Sequence, residues 1–248
     1  MKASVSPAAA IFAVWILVAG SMVCQAQDIV VQKNDGLARE GQILGVKAGA
    51  IRIKIGPAET GIPLANVASV TMAPPKAYTE AVELWQKGDS AKTLSLLVPL
   101  VENFSGLPTK WAERASALLG EVYLAASQTD KAEAAFASFQ KLYPAAGSSA
   151  DVGLARLAIA KKDFEGARGK LVPIVEKAKA TKFPDSGTSA VYGQALFLLG
   201  QVQEASAENA EALENYLLAV TLFHEDEAVV AKATERANAL KEKSVIVP

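Results

Sequence analysis

The sequence predicts a mainly α-helical protein: an α-solenoid of about four helical hairpins plus a capping helix, preceded by a small all-β domain. Three observations support this fold class. Residues 28–72 form short segments in which apolar and polar side chains alternate. From residue 77 onward, the pattern changes to helices of about 12 to 20 residues with short polar breaks. Similar residues also recur along this second region, as they do in repeat proteins.

Residues 1–26 are predicted to be a secretory signal peptide. Lys2 is followed by an apolar run over residues 8–20 and then by a small-residue exit, in which Cys24 and Ala26 occupy the −3 and −1 places of a cleavage site. Two alternatives stay open. An apolar stretch of about 18 residues reaches the lower limit for a membrane anchor. A lipoprotein would carry lipid on Cys24, although Val23 is bulkier than the residue expected before such a cysteine.

Cleavage at this site predicts a mature N-terminus at Gln27. Edman sequencing or mass spectrometry of the exported protein checks it. An intact Met1 or a lipidated Cys24 would contradict the assignment.

Composition narrows the possible partners. The chain has 25 basic and 26 acidic side chains, and cleavage removes one basic residue, Lys2, which leaves a net charge of about −2. A chain without excess positive charge is not expected to bind nucleic acid. The only cysteine, Cys24, is lost with the leader, so no disulfide or thiolate site is expected. No membrane span is expected after cleavage.

Residues 27–74 are predicted to form the small β domain. Ile51, Ile53 and Ile55 alternate with polar residues, and further extended runs are expected at residues 28–33, 41–47, 61–64 and 67–72. The pattern G-x-I-x-x-V-x-x-G-x-I followed by I-P-L-A-N-V-A-S-V resembles that of Sm-like or SH3-like small barrels. The resemblance implies a closed barrel that docks on the helices or on a partner. The loop signature of RNA-binding Sm-like proteins is missing.

Residues 75–248 are predicted to form the helical repeat domain. The best unit contains Leu119-Gly120, Tyr123, Ala132, Phe136 and Pro144, whereas Ser116 and Phe139 depart from the pattern. These residues resemble the signature of the tetratricopeptide repeat, which is about 34 residues long. In the fourth unit, the matching residues are Leu196, Leu199-Gly200, Ala212, Tyr216 and Ala219. In the third unit they are Leu154-Ala155, Ala158, Ala167 and Leu171, and in the first they are Ala81, Leu84, Gly88-Asp89, Thr93 and Leu97.

The repeat pattern has a physical reason. Small residues such as Gly120 and Ala132 allow two helices to approach closely, and large residues such as Phe136 fill the space around that contact. A capping helix is expected over residues 225–243. The connections over residues 103–109 and 178–188 are longer than the others. The second is the better candidate for a functional insertion, and an ordinary variable connection is the alternative.

No catalytic, cofactor or metal site is predicted, and the protein is not expected to be an enzyme. His224 is the only histidine and has no nucleophile motif around it. Residues 225–227 are acidic, which fits a helix N-terminus better than a cation site. Glu204, Glu208, Glu211 and Glu214 are expected on a solvated surface. Trp111 is expected in the core rather than at a binding site.

The tetratricopeptide resemblance implies that the first helix of each hairpin lines a groove that binds a protein or peptide. The chaperone-binding version of the family is not expected, because Ala117 and Glu121 stand where it needs Lys and Asn. The residues at groove positions are Tyr78, Trp85, Arg114, Leu118, Glu121, Arg156, Ile159, Gln194, Phe197 and Gln201.

Two functions follow as expectations. The first is a non-catalytic scaffold or adaptor of the bacterial cell envelope, exported to the periplasm, that binds a partner through the groove. The second is a small-ligand or cell-wall-binding module with its specificity in the β domain.

Overall fold

The computed structural model describes residues 27–33, 36–243 and 245–246. The leader predicted at residues 1–26, with its cleavage site, lies outside the described residues. Within the described part of the chain, none of the helices combines the length and apolarity that a membrane crossing needs.

The N-terminal region folds into a five-stranded antiparallel sheet. Its strands are β1 (Asp28–Gln32), β2 (Ala38–Lys47), β3 (Ala50–Ile55), β4 (Ala58–Pro63) and β5 (Val67–Thr71). They pair in the spatial order β4-β3-β2-β1-β5. The terminal strands of this order, β4 and β5, do not pair with each other among the described residues. The small all-β region is therefore confirmed, whereas its closure into a barrel stays a prediction.

The longest strand, β2, connects the two halves of the sheet. Its residues 38–41 pair with β1, and its residues 42–47 pair with β3. The pairing register shifts just before Gly45, whose φ is 145°. Glycine tolerates this backbone conformation, which residues with a side chain rarely adopt, so the strand is able to bend here. Side chains of both halves, such as Val30 and Ile51, consequently meet in one core.

The rest of the described chain forms nine α-helices. They are α1 (Lys76–Gln86), α2 (Ser90–Phe104), α3 (Lys110–Ala125), α4 (Thr129–Leu142), α5 (Gly147–Ala160), α6 (Phe164–Ala180), α7 (Ser186–Ala205), α8 (Asn209–Thr221) and α9 (Glu227–Glu242). Each helix packs against the next, which gives four hairpins and a final helix. The predicted helical solenoid with a capping helix is confirmed.

The stack has an inner and an outer layer. Helices α1, α3, α5, α7 and α9 also contact one another in sequence from hairpin to hairpin, whereas contacts between successive even-numbered helices are weaker. Because the units approach more closely in the odd-numbered layer, that layer lies on the inside of the curve.

The turn inside every hairpin has the same backbone geometry. A left-handed residue follows the first helix in each case: Gly88, Ser127, Lys162 and Ala207 have φ between 59° and 77°. Their N–H groups donate to the carbonyl three residues earlier, and the next N–H donates to the carbonyl five residues earlier. This is the hydrogen-bond pattern that commonly ends helices. The internal repeat is therefore present in the backbone even where its residue types differ.

The sheet is packed on the first helices and shares their core. Gly45 lies against the end of α2, so that a Cβ added to it would be 2.5 Å from the backbone oxygen of Asn103. Trp111 of α3 donates from Nε1 to the carbonyl of Met72 at 3.2 Å. Apolar residues of the sheet and of α1–α3 form one continuous cluster. The sheet thus covers the N-terminal end of the solenoid, whose first hairpin has no preceding repeat.

The C-terminal end is held by polar contacts among the last three helices. The carboxylate of Glu204 accepts hydrogen bonds from the Tyr216 hydroxyl at 3.0 Å and from Arg236 Nε at 3.0 Å. Burial, followed by the charge of Glu204, raises the pKa of Tyr216 above its usual value. Asp226 caps α9 by accepting from the N–H of Val229. The acidic segment before α9 is therefore a helix start, as predicted.

Candidate partner-binding face

All ten residues that the sequence assigned to a groove lie on helices of the inner layer. Each of the helices α1, α3, α5 and α7 contributes two or three of them. We call this surface the inner face. It is defined by Tyr78, Trp85, Arg114, Leu118, Glu121, Arg156, Ile159, Gln194, Phe197 and Gln201.

The N-terminal end of the inner face is aromatic and carries a free positive charge. The Tyr78 ring lies 6.1 Å from the Trp111 ring, which also packs edge-on against Phe104 at 5.4 Å. Burial raises the pKa of the Tyr78 hydroxyl, and the charge of nearby Arg114 acts in the opposite direction. Arg114 is exposed, and no carboxylate among the described residues forms an ion pair with it. An anionic or carbonyl group of a partner is therefore able to reach it.

In the middle of the inner face, an ion pair joins two neighbouring hairpins. Arg156 Nη1 of α5 lies 3.1 Å from Glu121 Oε1 of α3, and both side chains are about a quarter exposed. Arg114 and Arg156 are the two arginines among the predicted groove residues, and they lie on successive inner helices, α3 and α5. The structure separates their roles, because Arg156 is paired with Glu121, whereas Arg114 forms no ion pair with any residue that the structure describes.

At the C-terminal end of the inner face, two predicted residues serve the fold itself. Gln194 donates from Nε2 to Asp226 Oδ2 at 2.8 Å and so connects α7 to the start of α9. Phe197 is only 8% exposed and packs 5.8 Å from the Tyr216 ring. The assignment of Phe197 as a partner anchor is therefore wrong, because its ring packs against Tyr216 of α8 and is not accessible to a partner. Its side chain belongs to the core.

The structure also decides several of the other sequence-based interpretations. Trp111 is 6% exposed and lies in the core, as expected. His224 is exposed, and no group of metal-ligating side chains occurs in the described ranges. The expectation of a solvated surface is wrong for Glu204, whose side chain is only 14% exposed and bonds Tyr216. Glu208 lies on the surface, where it accepts from Arg168 at 2.8 Å. Glu204 connects α7 to α8 and α9, and Glu208 connects the start of α8 to α6. Sequence spacing carries no signal for such contacts between repeats.

The sheet offers a second, separate concavity. An open cavity of about 370 Å³ lies between β4 and the ends of β1 and β2, with Arg39 as its only charged lining group. The other lining residues are Gln32, Ile55, Thr60, Gly61, Ile62 and Pro63. Small-molecule sites commonly have volumes of about 300–1,000 Å³, so this cavity lies at the lower end of that range.

Comparisons with known proteins add one distant structural likeness. No protein-family model matches the sequence, and no curated protein matches it. A crystal structure of MamA is similar at 17% sequence identity and a TM-score of 0.41, over 70% of this chain and 96% of that chain. A likeness this distant carries no information on function. The helical solenoid follows from the chain's own geometry.

Proposed function

We propose that this protein is a non-catalytic scaffold or adaptor of the bacterial cell envelope that binds a partner protein along the inner face. One observation carries the proposal: the inner helices of four successive hairpins present half-buried apolar residues and an exposed arginine that forms no ion pair within the described part of the chain. Leu118 and Ile159 supply the apolar contacts, and Arg114 supplies the charge. Arginine and apolar anchors of this kind carry most of the binding energy in protein interfaces.

The cellular location belongs to the same proposal. It rests on the predicted leader at residues 1–26, which directs export. A periplasmic or envelope-associated solenoid is expected to meet its partner outside the cytoplasm. Crosslinking in the native envelope followed by capture of the mature chain is the first experiment, because it supplies the partner for quantitative binding.

A double substitution tests the inner face. Arg114→Ala combined with Arg156→Ala is expected to weaken partner binding at least about tenfold, equivalent to about 1.4 kcal/mol. Arg114→Ala alone should leave stability unchanged, because the residue is exposed and unpaired. Arg156→Ala removes a part-exposed ion pair and should cost about 0.2–1 kcal/mol. Isothermal titration and thermal unfolding measure the two quantities.

The matched control is Arg168→Ala, which breaks a comparable ion pair with Glu208 in the outer layer. It should reduce stability by a similar amount and leave binding unaffected. If the double variant binds the partner as tightly as the parent chain does, the binding surface lies elsewhere.

The cavity on the sheet favours the alternative function, a small-ligand or cell-wall-binding module. Its volume and the guanidinium of Arg39 suit a small anionic or carbohydrate group. Affinity capture separates the two functions: a scaffold returns a stoichiometric protein, whereas a ligand-binding module returns none and binds soluble cell-wall fragments instead.

A further inference from the structure

The two long connections of the solenoid differ sharply in how they are held. In the connection between α2 and α3, Leu107 is fully buried. The Tyr143 hydroxyl accepts a hydrogen bond from the N–H of Gly106 at 2.9 Å and donates one to the carbonyl of Leu107 at 3.3 Å. In the connection between α6 and α7, Phe183 is 93% exposed. The first connection is part of the fold, whereas the second presents a large aromatic side chain to solvent without a structural reason.

A small pocket lies next to this connection, and the chain neighbours of Phe183, Lys182 and Pro184, line it. It measures about 150 Å³ and is formed by the end of α6, the connection itself and the end of α8. Leu218 and Leu222 form one wall, and Leu222 is 60% exposed. The volume is below the range of about 300–1,000 Å³ that is usual for small-molecule sites. The pocket suits one apolar side chain of a larger partner, in the manner of an interface anchor.

The floor of the pocket is fixed by the surrounding helices. Phe223 is 5% exposed and packs edge-on against Tyr192 of α7, with 5.6 Å between ring centres. Tyr192 is in turn 3.5 Å from the Thr181 hydroxyl. Gly193 lets α7 approach so closely that a Cβ on it would be 2.5 Å from the carbonyl oxygen of Phe223. Because these contacts hold Phe223 in place, the pocket is present before any partner arrives.

The rim of the pocket is positively charged. Lys179 and Lys182 both line it. Lys179 forms one exposed ion pair, at 3.3 Å to Glu214, and exposed pairs of this kind contribute little. Lys182 forms no ion pair among the described residues. The nearest acid along the chain, Asp185, accepts from the N–H and hydroxyl of Thr188 at 3.1 and 2.6 Å, and these bonds lower its pKa. The Asp185 carboxylate therefore interacts with the start of α7 and not with Lys182.

We infer that this surface is a second protein-binding site that takes an acidic peptide segment with an aromatic or leucine anchor. We call it the outer patch, defined by Phe183, Leu218, Leu222 and Phe223 with Lys179 and Lys182. The anchor side chain enters the pocket between Pro184 and Leu222, and the exposed Phe183 ring contacts the peptide outside the pocket. Carboxylates on either side of the anchor lie opposite the two lysines. Opposite charges of this kind select the partner and speed its association.

The outer patch is separate from the inner face. It is built by the outer helices α6 and α8 and by the connection that leads to α7. The same charges argue against a second copy of this chain as the occupant, because a two-fold contact would bring four lysines together. The solenoid is thus able to hold two partner segments, one on each side.

Fluorescence anisotropy with three labelled peptides tests the inference. The first has a central Leu-Phe pair with Asp and Glu on both sides, the second has Lys in place of the acids, and the third has Ala in place of Leu-Phe. We expect the mature chain to bind only the first peptide, with saturation below about 1 mM. Phe183→Ser and Lys182→Glu should each weaken this binding about fivefold to tenfold. Lys182→Glu should at the same time improve binding of the lysine peptide.

The end of α4 offers a matched control, because Lys141 and the part-exposed Leu142 also lie side by side. Leu142→Ser and Lys141→Glu should leave binding of the acidic peptide unchanged, as should Arg114→Ala on the inner face. Three results would each overturn the inference. They are absence of saturable binding, equal binding of all three peptides, and loss of binding through Arg114→Ala instead of Phe183→Ser. It would likewise be overturned if analytical ultracentrifugation showed a dimer that Phe183→Ser dissociates.

Discussion

Replacement of Gly153 by alanine is expected to destabilise the protein by about 1–3 kcal/mol, although alanine is the better helix former. The reason is the position of Phe136, whose ring lies between two glycines of different helices. A Cβ added to Gly120 of α3 would be 2.5 Å from the ring, and one added to Gly153 of α5 would be 2.3 Å from it. Phe136 is 1% exposed, so its ring cannot swing out into solvent without disturbing its neighbours.

Larger substitutions at the same contact should cost more. Gly120→Leu and Ala132→Leu overpack the second hairpin, because Ala132 is fully buried beside Phe136. Urea unfolding followed by circular dichroism gives the free energies. For a chain of this length, 1 kcal/mol corresponds to a shift of about 2–4 °C in Tm.

The matched control for these variants is Gly169→Ala in α6. A Cβ at Gly169 meets no atom within 4 Å, so this change should gain about 0.5–1 kcal/mol through helix propensity alone. If the free energy of unfolding falls for Gly153→Ala and rises for Gly169→Ala, then the close approach of the helices, and not the number of glycines, decides stability here. An unchanged Tm for both Gly120 and Gly153 variants would rule out the repeat packing described above.

Trp111→Ala is expected to produce the largest loss, about 3–5 kcal/mol. Its ring fills the junction between the sheet and the first hairpins, where it contacts Tyr78 and Phe104 and donates to the Met72 carbonyl at 3.2 Å. Trp111→Phe keeps most of the packing and removes the hydrogen bond, so its cost should be smaller. The lost hydrogen bond itself accounts for about 1 kcal/mol.

The same variant tests whether the sheet and the helices unfold together. Since both contribute to one core, Trp111→Ala should increase hydrogen exchange of β1 and β5 amides as well as those of α1–α3. Trp85→Ala is the control, because Trp85 is only half-buried on α1 and its removal should have a smaller effect. Sheet amides that keep their full protection in Trp111→Ala would mean that the two regions are independently stable.

The inner face was only partly predictable. Helical spacing placed its ten residues on one layer, and all ten lie on the odd-numbered helices. Their availability to a partner depends on neighbours that are distant in sequence. Glu121 pairs with Arg156 across two hairpins, and Phe197 is covered by α8. The outer patch was indicated only by the length of its connection, since the exposure of Phe183 and the pocket next to it depend on where α8 ends.

Local patterns in the sequence by themselves determined the elements of this protein. Period-two alternation specified the strands, and Asp89, Asp163, Asp185 and Asp226 specified helix starts, where each carboxylate accepts a backbone N–H. Such signals act over a few residues, within which one side chain meets its own backbone or the adjacent turn. The helical solenoid could be predicted because its contacts repeat at a nearly regular spacing.

Only the tertiary structure decided the features that depend on contacts between units. A glycine at position 88 predicts a left-handed turn from its residue type. Ser127, Lys162 and Ala207 adopt the same conformation because the packing of their hairpins requires it. The shared core of sheet and helices, the clamping of Phe136 between two glycines and the pairing of Arg156 are likewise set by residues far apart in the chain. No local pattern encodes them, since each depends on the shape and charge of a surface that forms only when neighbouring hairpins stack.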